Sequence, residues 1–362
     1  MKMKILVTAN FDLGLYKFRK ELLKELLDNG HQVYISLPDG DLVLPLVEMG
    51  CEFINTDIDR RGMNPVTDLK LVFSYKKILR KVKPDLVITY TIKPNVYMGM
   101  LCRMMNIPYV INITGLGTAF QSKGAMLKIF VQLYKAACKK AQTVIFENCA
   151  NMQLFKDYGI VKDEQCLLNN GAGVNLEEYP FTEYPDEEQI RFLFIGRVMR
   201  EKGIDELFDS AKRIKKEYDN VHFDIVGPYE DDYKTVTEQL VADGVIEYHG
   251  FQEEVRPFIE KSHCFVLPSW HEGMANTNLE CAAMGRPIIT SNIHGCLEAV
   301  MDNESGFLTE PENSDDLYHK LKAFVELPYE EKKDMAEKSH CHIEENFDKR
   351  IIVERTLSRI IE

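Results

Sequence analysis

The chain of 362 residues contains no apolar run of the eighteen or so residues that a membrane-spanning helix needs. Its amino-terminal apolar run, Ile5 to Ala9, is five residues long before polar sequence resumes, too short for the core of a signal peptide. Both absences lead to the expectation of a soluble, cytoplasmic protein. Nine cysteines include no C-x-x-C pair. An odd count without that spacing fits neither a disulfide framework nor a zinc site, so Cys264 in an apolar strand and Cys281 in a helix read as packing. The loop after the first strand, NFDLGLYKF, has one glycine, Gly14, and lacks G-x-G-x-x-G. A simple dinucleotide-binding reading loses its main support there. Internal repeats and low-complexity segments are also missing.

What is present is a globular composition, 45% hydrophobic and 28% charged, in a chain long enough for two domains. The net charge of −13 is unevenly spread. Residues 1–180 hold 23 Lys+Arg against 18 Asp+Glu, and the remainder 21 against 39. From Leu86 to Phe146 there is no acid at all, against seven bases: Lys93, Arg103, Lys123, Lys128, Lys135, Lys139 and Lys140. The first half is therefore expected to face something anionic. Nothing in the chain calls for a nucleic-acid partner.

Short apolar runs alternate with helical periodicity along the whole chain. KILVTA, VYISL, CEFINT, DLVITY, YVINI and TVIFEN read as strands, with a helix from about Tyr16 to Asp28 and others near 42–49, 68–82, 96–105, 123–140 and 148–158. The polar run Glu177 to Gln189 reads as a linker. After it RFLFIG, HFDIVG, VIEYHG and CFVLPS begin a second alternation that closes in helices from Asp315. The alternation predicts an α/β fold of two doubly wound, mostly parallel sheets. The expected domains are 1–178 and 179–346, with the last helix, 347–362, returning to the first.

The segment Cys264 to Phe307 organises the chemistry. It reads as a buried strand, a turn carrying Glu272, a helix from about Asn276 carrying Glu280, a strand over Pro287 to Thr290, and a loop with Gly295 before Glu298. Two carboxylates so placed can face one crevice at the carboxyl end of a parallel sheet. Two glutamates eight residues apart are also common on solvated surfaces. The glycines and proline that punctuate the segment favour the crevice.

With IGRVMREKG (Ile195–Gly203), NNGAGVNLEEY (Asn169–Tyr179) and the turn around Gly14, this segment resembles the E-x7-E signature of retaining glycosyltransferases of sequence family 4, which have the GT-B fold of two Rossmann-like domains facing a central cleft. The resemblance spans nearly the whole chain. It implies a nucleotide-sugar donor, with Gly14 admitting the diphosphate, Arg197 and Lys202 neutralising it, and Glu280 accepting from the ribose hydroxyls. Glu272 would sit against the donor sugar as a catalytic group with Arg197 and Lys202. Backbone amides of Gly273, Met274 and Ala275, at the helix start marked by Asn276, would hold sugar and phosphate oxygens. Many relatives carry Gly-Phe-Pro here, and Met274-Ala275-Asn276 departs from it.

On the first domain TIKPN, with Lys93, and ITGLGTAF, with Thr114, Gly115 and Gly117, would wall the acceptor. The GLG and KPN segments look most like bacterial enzymes that extend undecaprenyl-diphosphate-linked sugars, so a polyprenyl-diphosphate-linked acceptor and an anionic membrane surface are the expected partners. Ile92 and Thr114 stand where many relatives have a histidine, which leaves no catalytic histidine to assign. Two cations at the diphosphate lead to the expectation of no metal and no cofactor. Asp57-x-Asp59 lies far in sequence from the donor motifs, and His222, His249, His263 and His271 have no ligand spacing. A non-hydrolysing UDP-sugar 2-epimerase shares the fold, and a catalytically silent nucleotide-sugar-binding subunit would keep the donor motifs. Release of UDP separates the latter from a transferase.

Overall fold

The computed structural model describes residues 2–59, 64–116, 120 and 124–361. They form two compact units, one running to Ala172 and resuming at Ile352, the other Gly173–Ile351.

In the first unit seven strands, β1 Lys4–Thr8, β2 Gln32–Leu37, β3 Glu52–Asn55, β4 Leu86–Tyr90, β5 Tyr109–Ile113, β6 Thr143–Phe146 and β7 Cys166–Leu168, pair in the order β3-β2-β1-β4-β5-β6-β7, all parallel. Every residue of β4, β5 and β6 is buried, as expected of parallel strands covered on both faces. One face packs on the helices Pro65–Val82, Gly99–Met105 and Ala125–Cys138 through Leu71, Tyr75, Leu101 and Tyr134. The other packs on the helix Asp12–Asp28 and on Ile360 of the last helix. That last helix, Lys349–Ile360, is tied to the first unit by Asn169 Nδ2 donating to Thr356 Oγ1 at 2.8 Å.

Local chemistry sets the helix ends. Asn64 caps Pro65–Val82, its Oδ1 accepting from Val66 N at 3.0 Å, and Pro65 sits at the first helical position. The helix Asp12–Asp28 starts earlier than the sequence reading, so Gly14 lies inside its first turn and not in a polar loop. The cause is Asp12, an acid at the positive end of the helix whose carboxylate also accepts from Leu42 N at 2.9 Å. Two short edge strands, β7 and a later one over Gly306–Thr309, are absent from the sequence reading.

In the second unit β8 Ile190–Ile195, β9 Val221–Val226, β10 Glu247–Gly250, β11 Cys264–Leu267, β12 Ile288–Ser291 and β13 Gly306–Thr309 pair in the order β10-β9-β8-β11-β12-β13, again parallel. Strand order reverses between β8 and β11, which are neighbours at the centre of the sheet. The polar run 177–189 does not behave as a free connector. Tyr184 is buried and donates to His263 O at 2.9 Å, and Thr182 N donates to Met284 O at 3.3 Å.

Arg286 explains that ordering. It is fully buried with no carboxylate partner among the described residues, and its guanidinium donates to Ile259 O, Gly285 O, Glu183 O and Glu260 O at 2.9 to 3.1 Å and to Thr182 Oγ1 at 2.6 Å. Burial lowers its pKa to about 10, with Tyr184 opposing the shift. Arg286→Met fills similar volume but orphans these acceptors, so it should lower the unfolding free energy by about 3 kcal/mol. Urea denaturation checks this, and an unchanged midpoint would mean that the carbonyls find other partners.

Candidate active site

The reversal between β8 and β11 is where open α/β sheets bind ligands. The loop after β8 carries Arg197 and the short turn Arg200–Lys202; the loop after β11 carries Trp270, His271 and Glu272. Gly203 lets them meet. Its φ is +69°, and a Cβ there would lie 2.0 Å from Pro268 O. Glu201 O then accepts from Trp270 N at 3.0 Å and from Ser269 Oγ at 3.2 Å.

With the backbones joined, the side chains pair in order. The Arg200 guanidinium lies 5.2 Å from the centroid of the Trp270 ring. His271 Nε2 is 3.4 Å from Glu201 Oε2. Lys202 Nζ is hydrogen-bonded to Glu272 Oε1, both side chains largely buried. Thus two of the acid and base candidates, 70 positions apart in sequence, form one ion pair across the switch point. Arg197, earlier on the loop after β8, is exposed, with a side chain 49% accessible and Glu230 at 3.5 Å.

The Glu272 loop is fixed from its other side by the loop after β12. Ala275 N donates to Gly295 O at 2.7 Å, and Gly295 N donates to Glu298 Oε2 at 2.7 Å. The Ala275 amide is therefore already used, which corrects its expected role as a ligand donor. Met274 is buried in the core of the unit. Asn276 opens the helix Asn276–Ala283, and its Oδ1 is buried with no hydrogen-bond partner among the described residues. Glu280, half-buried on that helix, faces Tyr179; burial and then the Glu280 charge push the phenol pKa up. Gly273 completes the loop.

The remaining candidates belong to the first unit. Lys93 is paired with Asp68 at 2.8 Å and is largely buried. Thr114 and Gly115 follow β5 and are half-buried; Gly117 lies outside the described residues. Sequence reasoning misses a second polar cluster at the carboxyl ends of β4 to β7. Arg19 is ion-paired with Glu147 and stacks 4.9 Å from the Tyr90 centroid. Burial disfavours the Arg19 charge, but Glu147 and Tyr90 outweigh it and raise its pKa. With Asn112 and Asn169 they line a cavity of about 20 Å³, room for a single water.

Residues 176–340 match the family described as "Glycosyl transferases group 1", and residues 4–148 match "Glycosyl transferase 4-like". The chain belongs to these glycosyltransferases. It is 27% identical over 342 residues, 90% of each chain, to the N,N'-diacetylbacillosaminyl-diphospho-undecaprenol alpha-1,3-N-acetylgalactosaminyltransferase of Campylobacter jejuni. To the UDP-Gal:alpha-D-GlcNAc-diphosphoundecaprenol alpha-1,3-galactosyltransferase of Escherichia coli it is 28% identical over 282 residues, 72% of this chain and 71% of that one. Among solved structures, Anabaena HepE in complex with UDP-glucose superposes with a TM-score of 0.79 at 19% identity, covering 98% of this chain and 99% of its own. The two sheets of this glycosyltransferase thus have the GT-B fold.

Only proximity to the motifs in sequence could have singled out Arg200, Glu201, Trp270 and His271. Arg19 and Glu147 left no sequence signal, being 128 positions apart. Away from the switch point, ligand atoms of Asp224, Glu247 and His249 lie within 4.8 Å of one another. Arg191 Nη1 already bridges the two acids at 3.0 and 3.3 Å.

Gly295 offers a direct check on the loop geometry. At φ +94° a Cβ would lie 2.6 Å from Glu272 O. Gly295→Ala should therefore displace Glu272 and lower kcat by roughly 10²-fold, the scale of an ångström-sized misplacement. A variant with wild-type kcat would show that this packing does not position Glu272.

Proposed function

We propose that the chain transfers a hexose or N-acetylhexosamine from a UDP-linked donor to a polyprenyl-diphosphate-linked saccharide, with retention at the anomeric carbon and without a metal, in bacterial surface polysaccharide or glycan assembly. The observation that carries this reading is the Lys202–Glu272 pair at the switch point, with Arg197 exposed on the same loop as Lys202. The names of the Campylobacter and Escherichia coli relatives, both acting on diphospho-undecaprenol-linked sugars, support the acceptor class. The UDP-Gal of one name and the UDP-glucose bound to HepE support the donor class.

In transfer, the bond between the anomeric carbon and the diphosphate oxygen breaks, and the acceptor hydroxyl oxygen bonds to that carbon from the same face. The electron pair leaves with the diphosphate, and the hydroxyl proton passes to the departing oxygen. Arg197 supplies a planar fork and Lys202 a mobile point charge to the growing negative charge. Glu272 orients sugar hydroxyls and steadies positive charge at the anomeric carbon. Asn276 Oδ1 is a spare acceptor for another hydroxyl. Glu280 has the two oxygens that suit a ribose diol.

Arg197→Ala should lower kcat by about 10²-fold, because its contact strengthens as charge develops, whereas Glu280→Ala should chiefly raise KM. Activity should survive excess EDTA. Wild-type kcat/KM in both variants would refute the site, and loss of activity restored by magnesium would refute metal independence.

The membrane partner rests on one helical layer of the first unit. The sequence of the predicted helix Lys123 to Lys140 alternates Met126, Leu127, Phe130, Leu133 and Tyr134 with lysines and so suggests a membrane-facing surface, but Phe130 and Tyr134 of Ala125–Cys138 are core residues. Met126 and Ile129 remain exposed beside Lys128, with Lys139 and Lys140 exposed beyond and Lys135 half-buried. The helix Pro65–Val82, in the same layer, adds exposed Val66, Leu69 and Phe73 and exposed Lys70, Lys77, Arg80 and Lys81. Each base near an anionic surface contributes roughly 1 kcal/mol, screened by salt. Co-sedimentation with anionic liposomes should therefore be strong at low salt, weak at high salt, and lost in a Lys128→Glu, Lys135→Glu, Lys139→Glu variant. Protein that stays in the supernatant at low salt would exclude this surface.

A further inference from the structure

Three consecutive residues of one loop meet three consecutive residues of the other in the same order: Arg200 with Trp270, Glu201 with His271, Lys202 with Glu272. The third contact joins groups assigned to the donor; the first two do not. Lys202 has three N–H donors, and the one spent on Glu272 leaves two for diphosphate oxygens. An anionic diphosphate would draw Lys202 away from Glu272, and with it the loop, unless something else held that loop.

We propose that Arg200 and Glu201 are positioning residues for transfer, keeping Trp270 and His271 docked so that Lys202 is shared between Glu272 and the donor diphosphate. This rests on the donor reading above. The outer contacts are poorly suited to a stabilising role. Glu201 and His271 are 47% and 42% accessible, so their attraction is strongly screened, and Arg200 stacks from an exposed position. Their effect is on geometry. The residues that follow Trp270 and His271 carry the Glu272 carboxylate, whose placement relative to the anomeric carbon sets the rate.

Trp270 is the only tryptophan in the chain, so tryptophan emission, excited selectively over tyrosine, reports this loop alone. In the wild type, UDP titration should change Trp270 emission. Arg200→Ala and Glu201→Ala should lose that change and lower kcat by about tenfold or more. UDP affinity by calorimetry and the melting temperature should stay close to wild type. Arg200→Lys, which keeps a cation over the ring, should recover most of the rate. A Glu201→Ala, His271→Ala double variant should be no slower than either single one. A purely structural role would move the melting temperature and leave the kcat to KM balance intact.

If UDP binds the wild type and the alanine variants keep wild-type kcat and emission response, the positioning role is overturned while the donor reading stands. If neither UDP nor UDP-sugars bind the wild type, the donor reading falls and this proposal with it. Should Glu201→Ala fail to fold, His271→Ala removes the same contact from the loop side, and an unchanged rate there overturns the proposal equally.

Discussion

The pair formed by Lys202 and Glu272 depends on the sheet more than on either residue. The two come from loops that follow β8 and β11, elements distant in sequence that become neighbours only because strand order reverses between them. Taking both charges partly out of water is costly, and the cost is offset only while each keeps a partner. A site of this kind is poised. Lys202 has the choice of holding Glu272 alone or of sharing its two remaining N–H donors with an incoming anion. The glycine at 203, pressed against Pro268, and the one at 295, pressed against the Glu272 carbonyl, bring the flanking loops close enough for that choice to exist.

Beneath these loops the second unit is built on one continuous core. Its core runs without interruption from Ile190 through Phe265 and Leu279 to Phe347, and Arg286 sews the entering segment onto the same body by donating to backbone oxygens of residues 183, 259, 260 and 285. Hydrogen bonds to carbonyl and hydroxyl oxygens replace a counter-ion, so the charge stays buried with no carboxylate partner among the described residues. Loops that must place a carboxylate accurately are thereby mounted on fixed strands, which is the arrangement that catalysis by positioning requires.

Much of this was legible. Apolar runs such as DLVITY and CFVLPS could only be buried parallel strands, and alternation with helices implied two doubly wound sheets. E-x7-E and IGRVMREKG marked the loops that the switch point brings together. What escaped has physical reasons. Gly14 looked like a loop residue because glycine disfavours helices, yet Asp12 starts the helix ahead of it. A polar composition at 177–189 suggested a linker, since nothing local announces that a distant buried arginine will bind its carbonyls. Ala275 seemed a ligand amide until Gly295, twenty positions on, proved to accept from it. Pairings of this sort are set by tertiary contact and leave no local pattern.

Charge illustrates the same limit from the other direction. The excess of bases in the first half predicted an anionic partner, but a count of charges ignores where they go. Arg19 is neutralised by Glu147 and Lys93 by Asp68, both inside the unit. Among the exposed bases that remain, Lys70, Lys77, Arg80, Lys81, Lys128, Lys139 and Lys140 lie on one helical layer with exposed Val66, Leu69, Phe73, Met126 and Ile129. In the second half the balance is reversed. Its residues are strongly acidic in sum, yet the switch-point loops present Arg197, Arg200 and Lys202 at short range. At physiological salt, fields from exposed charges fade over about 8 Å. A diphosphate in contact with these loops would therefore respond to Arg197 and Lys202, the two cations assigned to it, and barely to the net charge of the domain around them.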